Sequence, residues 1–417
     1  MREEEPNGHP MRTERRNGQR ARRILIVVGQ SGMGDGVEAL PVFEMIRQRW
    51  SDVYIAAGYF RDAQKPILET SPYISETVRL FGGVRYFRRS IKGLLRNLKA
   101  IRGFDTVFFL YKKEPITWPI RLGARLAGAR VLYKHGYRYR DERRNTYSDF
   151  PEHVFFQIVT SNLLFDAPLV RLKRPEIAFS EQDERFAEEF FSRKVLGHGP
   201  TVIINTQSGQ NGGNPCALPD WGIERYARVA NALVDWGARL IINGGADHQI
   251  EEFKSVAHEL HNGVALLERP SPRQLAAVFS KCDLYIGAAN GPACVAMAVG
   301  TPTITLVGPG EHGYPGQERI GPAWWPRGAD HKVITKIDWC QQNMGANCRC
   351  RAERPKPLKR VMKRLGVWEP WRKARKKVMR SLGIHRRRTV SEIYPCLQAI
   401  KVEEVVEEAK RQLNGRI

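Results

Sequence analysis

Short apolar runs alternate with helical patterns along most of this chain, and that alternation limits the possible folds more than any other feature. The runs typical of buried strands are Ile24–Val28, Val53–Ala57, Thr106–Leu110, Val202–Asn205, Arg239–Ile242, Leu284–Ile286 and Thr303–Leu306. Helical patterns such as Trp221–Trp236 and Pro272–Phe279 lie between most of them. Strands that alternate with helices form parallel sheets covered on both faces, so we expect an α/β protein.

The alternation occurs twice, over about residues 24–165 and 200–335, which predicts two doubly wound, Rossmann-like domains. The polar stretch Ala167–Pro200 contains three prolines and is interpreted as the hinge region. The predicted organisation is a charged, disordered tail at 1–22, an N-terminal domain at 23–170, a hinge region at 171–200, a C-terminal domain at 201–340, a cysteine-containing, strongly basic insertion at 341–395 and a terminal helix at 396–417. Two such domains facing across a cleft bind ligands at the carboxyl ends of their strands.

The formal net charge of +23 predicts an anionic partner: nucleic acid, an acidic membrane surface or a phosphorylated substrate. Residues 349–388 alone hold 17 Lys or Arg against two Glu, mixed with apolar residues that include Trp368 and Trp371. Basic amphipathic segments with Trp bind anionic membranes, which is the interpretation we favour over a solvated linker. The sequence has no RNA-binding motif or array of stacking aromatics, so no nucleic-acid partner is expected.

No apolar stretch reaches the roughly 20 residues that span a bilayer. Residues 1–23 are charged and lack the apolar centre of a signal peptide, and seven cysteines do not suggest a secreted disulfide framework. We therefore expect a cytoplasmic chain, held peripherally on the cytoplasmic face of the inner membrane.

A glycine-rich loop with Gly29, Gly32 and Gly34 follows the first predicted strand and precedes a helix. Such a loop lets backbone N–H groups approach a phosphate. A nucleoside-triphosphatase P-loop is disfavoured because Asp35 stands where its Lys is expected, and a dinucleotide site lacks its acidic residue near Gly58. Asp35 suits a group that takes a proton from a hydroxyl, and its alternative role is the N-cap of the next helix.

A second stretch, residues 282–313, predicts a strand, a turn, and a short helix from about Pro292 with Asn290 as its N-cap. A Gly300-Thr301-Pro302 turn, another strand and a Gly308-Pro309-Gly310 loop follow. This order places a helix N-terminus at the carboxyl edge of a sheet, which is a geometry for binding a diphosphate.

Together these two stretches resemble glycosyltransferase family nine, the ADP-heptose:lipopolysaccharide heptosyltransferase-like enzymes. The matching residues are Gly34-Asp35 with Pro41, Asn290-Gly291-Pro292, Ala296, Ala298, Gly300-Thr301-Pro302 and Leu306-Val307-Gly308-Pro309. The resemblance covers about residues 22–340 and the terminal segment. It implies the GT-B fold, with an acceptor in the N-terminal domain and a nucleotide-sugar in the C-terminal one.

The resemblance also implies inverting, metal-independent transfer of a heptose or related sugar to a lipopolysaccharide-type or other envelope glycan, with Asp35 as general base. It implies no cofactor beyond the substrate nucleotide-sugar, with ADP-heptose as one donor. The donor-binding residues it indicates are Gly34, Asn205, Thr206, Gln207, Asn290, Gly291, Pro292, Ala293, Gly308 and Pro309. Basic residues that could meet a phosphorylated glycolipid acceptor are Arg85, Arg88, Arg138 and Arg140.

Three departures from the family pattern leave a second hypothesis open. Ala289, Cys294 and Pro219 stand where the family carries Asp, His and Lys. They support a non-catalytic scaffold that binds a sugar-nucleotide or glycan.

The cysteines near the C-terminus form a separate prediction. No metal is expected in catalysis, but four thiolates could hold structural zinc or iron, with free or redox-active thiols as the alternative. These residues are Cys340, Cys348, Cys350 and Cys396.

Overall fold

The computed structural model describes two parallel β-sheets with helices packed against them. The described residues are 23–28, 32–81, 91–110, 118–132, 157, 160–166, 171, 173–195, 197–206, 221–244, 254, 256, 260, 264–288, 290–307, 330–336, 339, 343 and 395–414. Among these residues no helix is both long and apolar enough to cross a membrane.

The N-terminal sheet has five strands, all parallel to their neighbours. They are β1 (Arg23–Val27), β2 (Tyr54–Tyr59), β3 (Glu76–Arg79), β4 (Thr106–Phe109) and β5 (Arg130–Leu132), in the spatial order β3-β2-β1-β4-β5. The helices of this half are α1 (Met33–Arg49), α2 (Lys65–Leu68), α3 (Ile91–Ile101) and α4 (Trp118–Leu126), and a short π-helix spans Ser161–Phe165.

The C-terminal sheet has six parallel strands. They are β6 (Thr201–Asn205), β7 (Arg239–Asn243), β8 (Val264–Leu267), β9 (Leu284–Ala288), β10 (Thr303–Val307) and β11 (His331–Thr335), in the order β11-β10-β9-β6-β7-β8. The helices are α5 (Glu181–Lys194), α6 (Ile223–Asp235), α7 (Pro272–Ser280), α8 (Gly291–Ala298), α9 (Pro395–Gln398) and α10 (Val402–Asn414).

Burial on both faces explains the continuous apolar runs of the central strands. In β1, Ile24 and Ile26 pack in one cluster with Phe43 of α1, while Leu25 packs on the other face of the sheet with Ile101 of α3. Successive side chains of a strand point to opposite faces, so a strand covered by helices on both sides must be apolar at every position.

An apolar cluster joins the two sheets through their helices. Val37 and Leu40 of α1 and Ile67 of α2 are buried together with Leu275 of α7 and Val295 of α8. Each fully buried aliphatic side chain of this size contributes roughly 1.5–3 kcal/mol to stability. The contact of α1 with α8 therefore fixes the position of the start of α1 relative to the C-terminal sheet.

The segment interpreted as the hinge contains a capped helix. Ser180 is the N-cap of α5, and its backbone N–H and hydroxyl both donate to the Asp183 carboxylate, at 2.9 and 2.7 Å. Arg273 of α7 donates to the same carboxylate at 3.0 Å. Burial alone would raise the pKa of Asp183, but the Ser180 hydrogen bonds and the Arg273 guanidinium outweigh it and lower that pKa. The segment is thus attached to the C-terminal sheet through α7.

The terminal helix α10 packs back on α6 of the C-terminal half. Its buried residues are Val402, Val405, Val406, Ala409 and Leu413. The connection before it is held by Trp221, whose indole N–H donates to the Ile400 carbonyl at 3.1 Å, and by Arg225, which donates to the Gln398 carbonyl at 2.8 Å.

Candidate active site

The two loops singled out in the sequence follow strands at points where the strand order reverses: β1 in the first sheet, and β9, which pairs with β6, in the second. In the N-terminal sheet β1 lies between β2 and β4, and in the C-terminal sheet β6 lies between β7 and β9. Open parallel sheets bind ligands at such switch points, outside the carboxyl ends of the strands. The loop after β1 and the residues that end β6 and β9 therefore occupy the expected position of a site.

Asp35 lies in the first turn of α1. The helix begins at Met33 after Gly32, and no side chain caps it. The interpretation of Asp35 as the N-cap is therefore wrong, because Gly32 holds that position. Asp35 is 9% exposed, so its carboxylate is in a buried setting at the partially positive end of a helix, which stabilises negative charge.

Helix α8 begins at Gly291, one residue before the predicted start, and Asn290 is its N-cap as expected. The Asn290 side-chain oxygen accepts the Ala293 N–H at 3.2 Å, and the Asn290 carbonyl accepts the Cys294 N–H at 3.2 Å. Pro292 has no N–H. In the described first turn, the Gly291 N–H is therefore the backbone donor that the cap and the helix leave for an anion, together with the helix dipole.

The N-termini of α1 and α8 meet at two glycines. A Cβ placed on Gly34 would lie 3.6 Å from the Gly291 Cα, and one placed on Gly291 would lie 3.3 Å from the Gly34 backbone nitrogen. Asp35 directly follows the first of these glycines and Asn290 directly precedes the second. The fold thus brings a buried carboxylate from one half of the chain next to a helix N-terminus of the other half.

The predicted donor residues at the end of β6 lie beside the same N-terminus. Asn205 and Thr206 are 4% and 6% exposed, and Asn205 pairs in register with Gly287 of β9, three residues before Asn290. The side chain of Asn205 accepts a hydrogen bond from Asn243 Nδ2 at 2.9 Å. The carboxyl ends of β7 and β6 therefore present neighbouring buried polar side chains beside the end of β9.

Three buried polar residues near these elements escaped the sequence analysis. Asn243 is the last residue of β7, as Asn205 is the last residue of β6. Its position directly after a predicted strand could therefore have identified it from the sequence. Tyr285 lies within β9 and has the pattern of a core residue. Glu38 is 2% exposed and follows Asp35 by three residues, a spacing that places both on one face of α1.

Two cysteines of the C-terminal half are packing residues. Cys282 and Cys294 are 7% and 1% exposed. Burial raises the pKa of the Cys282 thiol, which donates to the Val278 carbonyl at 3.3 Å. Cys294 Sγ would lie 3.2 Å from a Cβ on Gly34, so it lines the contact between α1 and α8.

Several predicted residues lie outside the described residues. The donor residues in this group are Gln207, Gly308 and Pro309, and the departures from the family pattern are Pro219 and Ala289. The arginines are Arg85, Arg88, Arg138 and Arg140, and the cysteines are Cys340, Cys348 and Cys350. Cys396 lies in α9, but its side chain is not among those described. The acceptor and metal predictions therefore stay predictions.

Comparison with known proteins finds similarity to one family. Residues 154–352 match the profile of glycosyltransferase family 9 (heptosyltransferase). The chain is 33% identical over 135 residues to the lipopolysaccharide core heptosyltransferase OpsX of Haemophilus influenzae, a match that covers 31% of this chain and 35% of that protein. It is 22% identical over 292 residues to lipopolysaccharide heptosyltransferase 3 of Escherichia coli, with 67% and 82% of the two chains covered.

A solved structure supports the fold. The structure of the Escherichia coli ADP-heptose LPS heptosyltransferase II superposes with a TM-score of 0.59 at 15% identity, over 94% of this chain and 99% of that one. The predicted α/β, GT-B architecture with two Rossmann-like halves is confirmed. The chain spans only about a third of the OpsX relative that it matches. Taken together, the profile match and the relatives make this chain similar to heptosyltransferases of glycosyltransferase family 9, whose fold it shares.

Proposed function

We propose that the chain is a glycosyltransferase that moves a sugar, a heptose or a related one, from a nucleotide diphosphate donor to a lipopolysaccharide-type or other envelope glycan. One observation carries the proposal: the helix that bears Asp35 meets the N-terminus of α8 at Gly34 and Gly291. The names of the relatives support the substrate class, since two are lipopolysaccharide heptosyltransferases and the solved neighbour is named for ADP-heptose. ADP-heptose is therefore the first donor to test.

In the proposed reaction, the Asp35 carboxylate takes the proton of an acceptor hydroxyl as that oxygen attacks the anomeric carbon of the donor. The new carbon–oxygen bond forms on the face opposite the diphosphate, so the anomeric configuration inverts. The bond to the diphosphate breaks at the same time, and the nucleoside diphosphate leaves with the electron pair. No cofactor beyond the nucleotide-sugar enters this scheme.

The leaving diphosphate gains negative charge as its bond to the sugar breaks. The Gly291 N–H and the positive ends of α1 and α8 are fixed dipoles near that charge, and preorganised dipoles stabilise a developing charge without reorganisation. Asn205 and Thr206 are proposed to contact the diphosphate or the sugar from the end of β6. These groups support a metal-independent reaction.

The basic segment supports a second part of the proposal, that the protein works on the cytoplasmic face of the inner membrane, where a glycolipid acceptor is embedded. Residues 349–388 carry 17 Lys or Arg against two Glu. Each basic residue near an anionic surface contributes about 1 kcal/mol to binding. Flotation with vesicles that contain anionic phospholipid should recover the protein, whereas neutral vesicles should not. Equal recovery on both would contradict membrane attraction by charge.

The enzymatic proposal is tested with a panel of ADP-, GDP-, UDP- and CMP-sugars. A thermal-shift screen first identifies the bound donor, because binding raises the apparent stability. Transfer to a lipopolysaccharide acceptor is then measured for the wild type, for Asp35→Asn and for Asp62→Asn, an exposed control. We expect Asp35→Asn to keep donor binding and to lose roughly 100-fold or more in kcat, with the control unchanged.

The non-catalytic hypothesis predicts a different result. A scaffold would bind the sugar-nucleotide tightly and show no turnover with any acceptor, in the wild type as well as in the variant. That outcome would give functional meaning to Cys294, Ala289 and Pro219, which depart from the family pattern.

A further inference from the structure

The hydroxyl of Tyr285 lies in the interior of the C-terminal sheet, directly below the N-terminus of α8. Tyr285 is 0% exposed, and its hydroxyl donates to Asn290 Oδ1 at 3.4 Å. The same oxygen accepts the Ala293 N–H at 3.2 Å. Two donors on one oxygen fix the orientation of the Asn290 amide, so its Nδ2 atom lies on the opposite edge of the amide plane.

Gly287 reveals how closely the tyrosine approaches the end of β6. A Cβ on Gly287 would lie 2.6 Å from Tyr285 Oη and 2.8 Å from the Asn205 carbonyl oxygen. Real Cβ atoms do not approach other atoms so closely, so glycine is required at this position. The hydroxyl therefore sits at the switch point, between the carboxyl ends of β6 and β9.

Asn243 holds the other side of β6. Its Nδ2 atom donates to Asn205 Oδ1 at 2.9 Å, and both residues are almost fully buried, with exposures of 3% and 4%. Buried amides without such bonds cost stability, and a satisfied pair holds each side chain in one orientation. Asn243 and Tyr285 thus fix two neighbouring residues, Asn205 and Asn290, that were predicted to bind the donor.

We propose that Tyr285 and Asn243 are positioning residues for the diphosphate of the donor. This inference rests on the proposed function. Tyr285 holds the Asn290 cap, and through it the Gly291 N–H, in the geometry that meets the phosphates, while Asn243 holds the Asn205 side chain from the adjacent strand. Neither residue touches the substrate, and each acts through the neighbour to which it donates a hydrogen bond.

The test is the binding of a nucleoside diphosphate compared with that of the corresponding monophosphate. Isothermal titration of the wild type with ADP, GDP, UDP and CDP first identifies the base that binds most tightly. The nucleoside monophosphate of that base is then the second probe. Tyr285→Phe removes one hydroxyl and keeps the ring. Tyr226→Phe is the matched control, because Tyr226 is 1% exposed and packs with Trp221 on the opposite face of the same sheet.

We expect Tyr285→Phe to weaken diphosphate binding about fivefold, the effect of one lost hydrogen bond, while monophosphate binding changes less than about twofold. Its melting temperature should fall no further than that of Tyr226→Phe. In transfer assays the KM for the donor should rise and the KM for the acceptor should not. Asn243→Ala should reproduce the selective loss of diphosphate affinity, and it provides an independent test if Tyr285→Phe folds poorly.

Two results would overturn the inference. If both variants bind the diphosphate as the wild type does, or lose diphosphate and monophosphate affinity equally, the residues are structural and do not position the phosphates. If the wild type binds none of the four diphosphates, the proposed function itself is wrong, and the positioning role is wrong with it.

Discussion

Gly34 and Gly291 are in contact across the two halves of the protein, with the position of a Gly34 Cβ only 3.6 Å from the Gly291 Cα. Each residue lies in the first turn of a helix, so the partially positive ends of α1 and α8 oppose each other. Like charges repel, and a negative group near this junction relieves that repulsion. Asp35 supplies one such group, and the donor diphosphate supplies another in the proposed reaction.

The first prediction concerns the width of this junction. In Gly291→Ala the new Cβ would lie 3.0 Å from Met33 Cβ and 3.3 Å from the Gly34 nitrogen, atoms that cannot rotate away. Overpacking of this kind costs about 1–3 kcal/mol, so we expect a lower urea midpoint and weaker donor binding. In the control Gly36→Ala, the nearest atom is Ile67 Cγ2 at an ordinary 3.5 Å. Equal behaviour of the two variants would show that the helices are not in tight contact.

The second prediction separates capping from anion binding at Asn290. Asp is as good an N-cap as Asn, so Asn290→Asp should keep the melting temperature close to that of the wild type. Its negative charge should nevertheless weaken nucleoside diphosphate binding by at least about tenfold, because it opposes the phosphates. Asn290→Ala should lose about 0.5–2 kcal/mol of stability with the cap. Titration calorimetry and thermal melting of both variants check this, and undiminished binding by Asn290→Asp would place the phosphates elsewhere.

The central strands could be read from the sequence, whereas the edge strands could not. Each of the seven apolar runs became a strand, because strands covered on both faces need apolar residues at every position. Two of the four outer strands lack such runs: Glu76–Arg79 and His331–Thr335 are mostly exposed or half-buried and carry charged or polar residues. Their pairing with β2 and β10 is set by tertiary contacts, which local patterns do not encode.

The same limit applies to the candidate site. Asp35 and Asn290 could be named because each follows a recognisable strand and lies at the start of a helix. The position of Tyr285 beside the Asn205 end of β6 depends on the register of β6 with β9, in which Asn205 lies opposite Gly287. Register is a property of paired strands, so a strand considered alone predicts only a core tyrosine.

The third prediction concerns the terminal helix. Leu413 is 0% exposed and lies in the same cluster as Val229 and Leu233 of α6. Leu413→Ala removes buried apolar contacts and should cost about 2–5 kcal/mol, measured by urea unfolding. The control Glu407→Ala changes an exposed residue of the same helix and should stay within about 0.5 kcal/mol of the wild type. A small effect of Leu413→Ala would mean that α10 contributes little to the C-terminal half.

The fourth prediction concerns acid sensitivity at His331 of β11, whose Nδ1 lies 3.2 Å from Thr303 Oγ1. Burial lowers the pKa of this imidazole below its usual 6.5, the Asp330 carboxylate opposes that shift, and the Arg174 guanidinium adds to it. The unfolded chain therefore binds the proton more readily than the folded one. The contribution to stability is complete above about pH 6.5 and is lost as the pH falls from there through the pKa of the folded state.

Urea unfolding between pH 8 and pH 5 should thus show a wild-type free energy of unfolding that declines below about pH 6.5. His331→Gln cannot take up this proton, so its decline over the same interval should be smaller, even if its stability at pH 8 is lower. Parallel curves for the wild type and His331→Gln would mean that the imidazole titrates alike in the folded and unfolded chains, contrary to the effect of its burial.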